Sequence, residues 1–340
     1  MDREEFRKLP YFLVEPTEGR IVPLLPFFEK GEFFIPFAVK DEKIVLIKAA
    51  EANSGNFISK EPANADLDFH LPLLELIIQR ITWPRPLYIM QTIVSDVINL
   101  GAGLEKYRLF QSHPDRLAAA FLVATELEFL FFNIRSLYDQ LQKIIKDIWG
   151  KTTLRDTALA KKGLPDSFRD VILTGDQDNI RSIDEIKVRY GLPEQIATFY
   201  HTQGHFFKLC RAIRDDMVHG GKSISKSPIY PLNEGFAVKV TDFPYSQFDC
   251  WKPEHLKSNN LGDLRTLIAY IIRHIIIATS DYSNSLVSCI QLAEPISPEW
   301  HIYTRNPFTV HLHRLDTYIQ RPWQFEFNNH MGAAQPPAES

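Results

Sequence analysis

Cys210-Arg-Ala-Ile-Arg-Asp-Asp-Met-Val-His-Gly-Gly221 packs arginines, aspartates and a histidine into a few turns of chain and then meets two glycines. Phe206, Cys210, Ile213 and Met217 recur at steps of three and four, which is the buried face of a helix. His201, His205, Lys208, Ala212, Asp215 and His219 follow the same spacing and form a second, mostly polar line. Pro193 suits the first turn of this helix, which should run over 194–219. Gly220 and Gly221 supply the left-handed stop that helix ends often use. His219 lies four residues after Asp215 and is placed to be oriented by it. Arg214 and His219 are five residues apart, about 7.5 Å of rise and roughly 140° of rotation, so on one continuous helix they leave by different faces. They can meet on one ligand only if the helix ends between them, or if a second chain completes the site.

Upstream, residues 117–149 read as one long helix, with Asp115 as its N-cap. Its middle, Phe129-Leu-Phe-Phe132, is apolar all round, which belongs inside a bundle or in an interface. Glu128, Arg135 and Asp139 interrupt that surface, and Arg135 and Asp139 have the spacing of an edge salt bridge. A short helix should begin near 164–168 on Asp166 or Ser167, and 173–184 reads as a polar loop. Downstream, 223–227 is a loop, 229–232 and 235–240 are an inserted hairpin, and 242–257 is irregular. Residues 261–292 are the last long helix, with Ile271, Ile272, Ile275 and Ile276 as its stripe.

Before the bundle, 20–25, 32–39 and 43–48 read as short strands with turns at Glu29-Lys-Gly31 and Asp41-Glu42. Residues 51–68 read as a polar connection. Helices are expected over 69–83 and 87–100, the second stopped by Gly101-Ala-Gly103. After the bundle, 300–304 and 308–312 suggest a terminal hairpin, and 328–340 a disordered tail. The expected organisation is mainly α: an N-terminal α+β region (1–112), a helical bundle (113–295), a C-terminal β extension (296–327) and the tail (328–340).

The formal net charge of −4 argues against a broad phosphate-coating surface, so any nucleic-acid contact should be local. Three scattered cysteines without a CxxC pattern point to a reducing compartment and to neither zinc finger nor disulfide framework. The N-terminus has no signal-peptide pattern. The most apolar run, 268–278, is broken by Arg273 and His274 and is too short to span a bilayer. A cytoplasmic protein without membrane contact is the expectation.

The Arg214-Asp215-Asp216-Met217-Val218-His219-Gly220 stretch resembles the Arg-polar-x3-His signature of HEPN domains (higher eukaryotes and prokaryotes nucleotide-binding). Arg108 and His113 share the spacing, and Arg305 to His311 is one residue longer. Proline follows or interrupts both, whereas the Arg214 copy has an amphipathic helix before it and glycine after it. The resemblance covers about 117–292. It implies a HEPN-like bundle and a metal-independent endoribonuclease. It also implies a homodimer whose motifs face one another across a cleft, a toxin or phage-defence setting with an antitoxin or regulatory partner, and products carrying a 2′,3′-cyclic phosphate. An acid on the long helix, such as Glu128, would brace the site.

Residue chemistry fits those roles. Cleaving RNA without a metal needs the 2′-hydroxyl deprotonated, the 5′-oxygen protonated and charge on the phosphate stabilised. A histidine moves protons near neutrality, and an arginine holds phosphate oxygens in a fork. His219 is the expected general acid/base and Arg214 the phosphate clamp. Asp215 would orient either one, with Arg211 and Asp216 in support. Two other readings stand beside this: an ordinary salt-bridged stripe of Arg211, Asp215 and His219, and a HEPN-like bundle kept inactive for dimerisation or for nucleotide or RNA binding. His201 and His205 have zinc-helix spacing but no evident third ligand, so packing or solvated histidines are expected, and no metal or cofactor. His311-Leu-His313 is similarly weak. Lys151, Arg155, Lys161 and Lys162 form a modest basic patch, read as solvated surface or as an RNA-backbone contact.

Overall fold

A computed structural model describes residues 20–324 apart from 22, 39–43, 51, 176–178 and 220–227, and only the backbone of 38, 44 and 216–219. The chain is mainly α with a small mixed sheet. Strands β1 (Phe27–Glu29), β2 (Glu32–Ala38), β3 (Ile44–Ala49), β4 (Gly55–Ser59) and β5 (Asp68–His70) lead into helix α1 (Pro72–Leu76), which passes into a π-turn over Ile77–Ile81. Helices α2 (Pro84–Gln111) and α3 (Arg116–Trp149) follow, then α4 (Phe168–Ile172), α5 (Ile183–Tyr190) and α6 (Glu194–His219). Strands β6 (Tyr230–Leu232), β7 (Gly235–Lys239) and β8 (Leu261–Asp263) form a second, three-stranded sheet beside the bundle. Helix α7 (Leu264–Cys289), strand β9 (His301–Arg305) and short helices α8 (Thr309–His313) and α9 (Leu315–Gln320) complete the chain.

The long helices form where period and caps agree. Asp115 accepts from the backbone N–H of Leu117 and Ala118 and starts α3, and Asp263 starts α7 in the same way. Ser182 and Glu185 make a reciprocal capping box on α5, which begins in the last residues of the 173–184 segment read as loop. Helix α6 spans the expected residues, with Phe206, Cys210 and Ile213 buried. The left-handed stop expected at Gly220-Gly221, the loop at 223–227, the turn at Asp41-Glu42 and the tail at 328–340 lie outside the described residues. One hydrophobic cluster joins α1, α2, α3, α6 and α7 to Phe27, Ile58 and Ile302 of the main sheet.

Several local expectations are corrected. Gly101-Ala-Gly103 does not stop a helix, since α2 runs through it to Gln111. A side chain at 101 would put its Cβ 2.5 Å from the Phe308 carbonyl oxygen, so glycine there permits close backbone approach. Residues 308–312 are helical, so no terminal hairpin forms. Among the described residues the first strand is Phe27–Glu29 and not 20–25, and the 51–68 connection contains β4.

Strand β9 instead enters the N-terminal sheet, whose order is β3-β2-β1-β4-β9-β5. It pairs antiparallel with β4 on one side and β5 on the other. The expected C-terminal β extension is therefore part of the N-terminal sheet, and the divisions at 112 and 296 do not separate packing units. One face of this sheet carries Phe27, Ile58 and Ile302 into the main core. The other carries Phe33, Phe57 and Tyr303, together with a buried ion pair between Arg305 and Asp68.

Candidate functional site

Helix α6 lies against α3 and α7, and its polar line faces away from the buried Phe206, Cys210 and Ile213. Within it Asp215 is shared by two arginines. Arg214 Nη1 donates to Asp215 Oδ1 at 2.8 Å, and Arg211 Nε lies 3.3 Å from Asp215 Oδ2. Arg214 is half-buried, and its guanidinium sits 5.7 Å from the centroid of the Phe132 ring on α3. Arg135, two positions before Leu137 on the same helix, lies over Phe207 at 4.7 Å and pairs with Asp139 at 3.3 Å. Burial lowers the Arg135 pKa. Asp139 and Asp215 oppose that shift, while Arg211 and Arg214 add to it, which makes these five groups one electrostatic cluster. Its formal charge is +1, from three arginines and two aspartates. The Nη1 of Arg135 and the Nε of Arg214 are buried without a hydrogen-bond partner among the described residues.

The structure thus brings Arg211, Arg214 and Asp215 together and adds Arg135 and Asp139, which the sequence suggested only as an edge pair. Glu128 is half-buried on α3, and no ion pair or hydrogen bond ties it to the arginines among the described residues. Asp216 and His219 belong to the α6 backbone, and their side chains lie outside the described residues. The helix does not end between Arg214 and His219. The rotation of roughly 140° between the two backbone positions therefore holds within one chain.

Beside Arg214, α3 turns an apolar stripe to solvent. Leu117 and Phe121 are each 69% exposed, and Leu122, Phe129 and Phe132 continue the stripe toward the arginine cluster. The all-apolar middle of α3 is accordingly half core and half surface. Helices α2 and α3 are long and apolar enough to cross a membrane by length and composition, but about half of the most apolar 18-residue stretch of each is buried inside the protein, 44% and 50%.

The remaining histidines sort by partner. His201 Nδ1 is 2.9 Å from the Arg181 carbonyl oxygen, and its ring meets His205 edge-on at 6.3 Å, with no third ligand near among the described residues. His274 on α7 stacks on Phe206 at 3.7 Å, and its Nε2 meets Gln203 Oε1 at 3.0 Å. Burial, and then the charge of Arg273, lower its pKa to about 4, so it is neutral at physiological pH. His311 lies between Tyr318 Oη at 2.9 Å and Glu105 Oε2 at 3.0 Å, and Glu105 also takes the fork of Arg108. This cluster ties α2 to α8 and α9. The basic patch is locally spent: Lys151 pairs with Asp147, Lys161 bonds the Trp149 and Thr152 carbonyls, and Lys162 bonds that of Val188.

A cluster that the sequence did not suggest is His70, Glu75 and His301. One donor atom from each lies within 4.8 Å of the others. Comparison with protein-family models, curated proteins and solved structures gave no match.

Proposed function

We propose that the chain is a metal-independent endoribonuclease of the HEPN type, acting as a homodimer in a toxin or phage-defence setting. The observation that carries this reading is the sharing of Asp215 by Arg211 and Arg214 at a half-exposed place on α6. One carboxylate fixes two guanidiniums and leaves the cluster positive, which suits a phosphate. Arg214 holds the scissile phosphate. His219, on the same helix but another face, acts on the phosphate held by the partner copy, so that each site takes one residue from each chain. The exposed stripe of α3 ends at Phe132, beside Arg214, and an unburied stripe of this size suits contact with a second copy. In the reaction His219 takes the 2′-hydroxyl proton and returns a proton to the leaving 5′-oxygen. The 2′-oxygen bonds to phosphorus and the product ends in a 2′,3′-cyclic phosphate.

A denaturing-gel assay of wild type against His219→Ala and Arg214→Ala, with and without EDTA, tests this. The expected result is EDTA-insensitive cleavage that falls at least about 100-fold in each variant. Equal cleavage by wild type and His219→Ala, or no cleavage of any RNA offered, overturns it. One observation favours a second reading, a catalytically inactive HEPN-like module for dimerisation or RNA binding: Arg214 already has Asp215 and Phe132 as partners in its own chain. That module would retain RNA in a salt-dependent manner and cleave none.

A further inference from the structure

We propose that His70, Glu75 and His301 form a binding site for a divalent transition-metal ion of the zinc class, on the outer face of the N-terminal sheet. His70 closes β5 and His301 opens β9, and these strands pair antiparallel with Tyr303 opposite His70. Alternation along a strand puts His301, two residues from Tyr303, on the same face as both. The three rings pack together, with His70 at 5.6 Å from His301 and 6.0 Å from Tyr303. Glu75 stands in the first turn of α1, immediately after β5, and its carboxylate reaches back over the strand ends. Its Oε2 lies 2.8 Å from His70 Nε2 and 3.1 Å from His301 Nδ1, and it accepts a long hydrogen bond from the Ile302 N–H at 3.4 Å.

Two imidazole nitrogens and one carboxylate oxygen are the donor set that zinc-class ions take, and the ion would join nitrogens that now converge on one oxygen. Zinc bonds of about 2.0–2.2 Å in a tetrahedron hold ligand atoms roughly 3.3–3.5 Å apart. The contacts to Glu75 need to open by only a few tenths of an ångström from 2.8 and 3.1 Å, and no donor starts farther than 4.8 Å from another. The strand and helix backbones fix where the three side chains begin, and the Ile302 N–H orients the carboxylate as an outer partner. All three side chains are partly exposed, 39%, 28% and 47% for His70, Glu75 and His301, so an ion has a path in and a fourth position stays open to water or an anion. This site shares no residue with the Arg214 cluster, and its test is independent of the ribonuclease reading.

The experiment is zinc binding to the purified full chain after EDTA treatment and removal of the chelator, followed by calorimetry and thermal unfolding, with cobalt as a spectroscopic substitute. Wild type should take close to one zinc per chain, gain thermal stability with it, and give the intense visible bands of tetrahedral cobalt. His301→Asn, His70→Asn and Glu75→Gln should each weaken zinc binding at least tenfold, and His201→Asn should leave it unchanged. His301 is exposed at a strand end, so His301→Asn keeps the test intact if Glu75→Gln fails to fold. No stoichiometric zinc on wild type, or unchanged binding in both histidine variants, overturns the site. Loss of binding in His201→Asn instead would place the ion elsewhere and overturn it as well.

Discussion

Arg305 and Asp68, 237 residues apart in sequence, meet in a two-pronged ion pair. Arg305 Nε lies 2.6 Å from Asp68 Oδ1, and Nη2 lies 2.8 Å from Oδ2. Neither side chain is exposed beyond 2%, and Phe33 and Phe57 cover the guanidinium at 5.0 and 5.4 Å. Removing one partner of a buried pair strands the other charge. Asp68→Asn should therefore cost about 3–5 kcal/mol in urea unfolding. Arg305→Lys should also be costly, because an ammonium cannot reproduce the fork. Replacing both residues by leucine should recover much of the loss.

His274 makes stability depend on pH. Its folded pKa of about 4 lies below the ordinary 6.5, through burial first and Arg273 second. Between those values the unfolded chain takes up a proton that the folded chain refuses. Stability present above pH 6.5 should therefore fall as the pH drops toward 4, by about 3 kcal/mol at most. His274→Gln should flatten that part of the profile. Urea unfolding of both proteins from pH 7.5 to 4.5 checks it.

Gly101 tests the correction at α2. Because an added Cβ would meet the Phe308 carbonyl oxygen at 2.5 Å, Gly101→Ala should destabilise the fold, by about 1–3 kcal/mol, despite alanine's better helix propensity. Gly103→Ala, with nothing within 4 Å, should be neutral or stabilising. Thermal melts of the pair separate packing from helix propensity.

The α3 stripe tests the proposed dimer. Phe121→Glu puts a charge in the middle of the exposed apolar surface and should shift the chain to monomer in light scattering. On the shared-site reading it should reduce RNA cleavage in parallel, although residue 121 touches no phosphate. An unchanged dimer with full cleavage would remove α3 from the interface.

Within the cluster, Asp215→Asn removes the carboxylate that fixes Arg211 and Arg214. If the chain is the ribonuclease proposed, cleavage should fall about tenfold or more through lost positioning, while RNA retention should rise with the added positive charge. Gel assays and filter binding at two salt concentrations distinguish the two effects.

Helices were legible because their signals are local. The period of Phe206, Cys210 and Ile213 set the buried face of α6, Pro193 set its start, and Asp115 set the start of α3. The same local reading failed at Gly101, whose reason is Phe308, a distant backbone. It missed β5, and it read 300–304 as a strand but gave β9 the wrong partner, because a strand's place is defined by its pairing. The ladder Tyr303↔His70 has no counterpart in any short window. The site divides in the same way. Arg211, Arg214 and Asp215 lie on one helix, and their spacing announced their contact. Arg135 and Asp139 enter through helix packing, and Glu75 and His301, 226 residues apart, through sheet order.

The place of β9 between β4 and β5 has a consequence for synthesis on the ribosome. The first five strands emerge early, but the sheet cannot close until the segment around residue 305 leaves the exit tunnel. Until then β4 and β5 each keep a bare row of backbone donors and acceptors, open to pairing with another nascent chain. A chaperone that shields strand edges would act on this protein during translation, and a stall before β9 would leave it in its most aggregation-prone form.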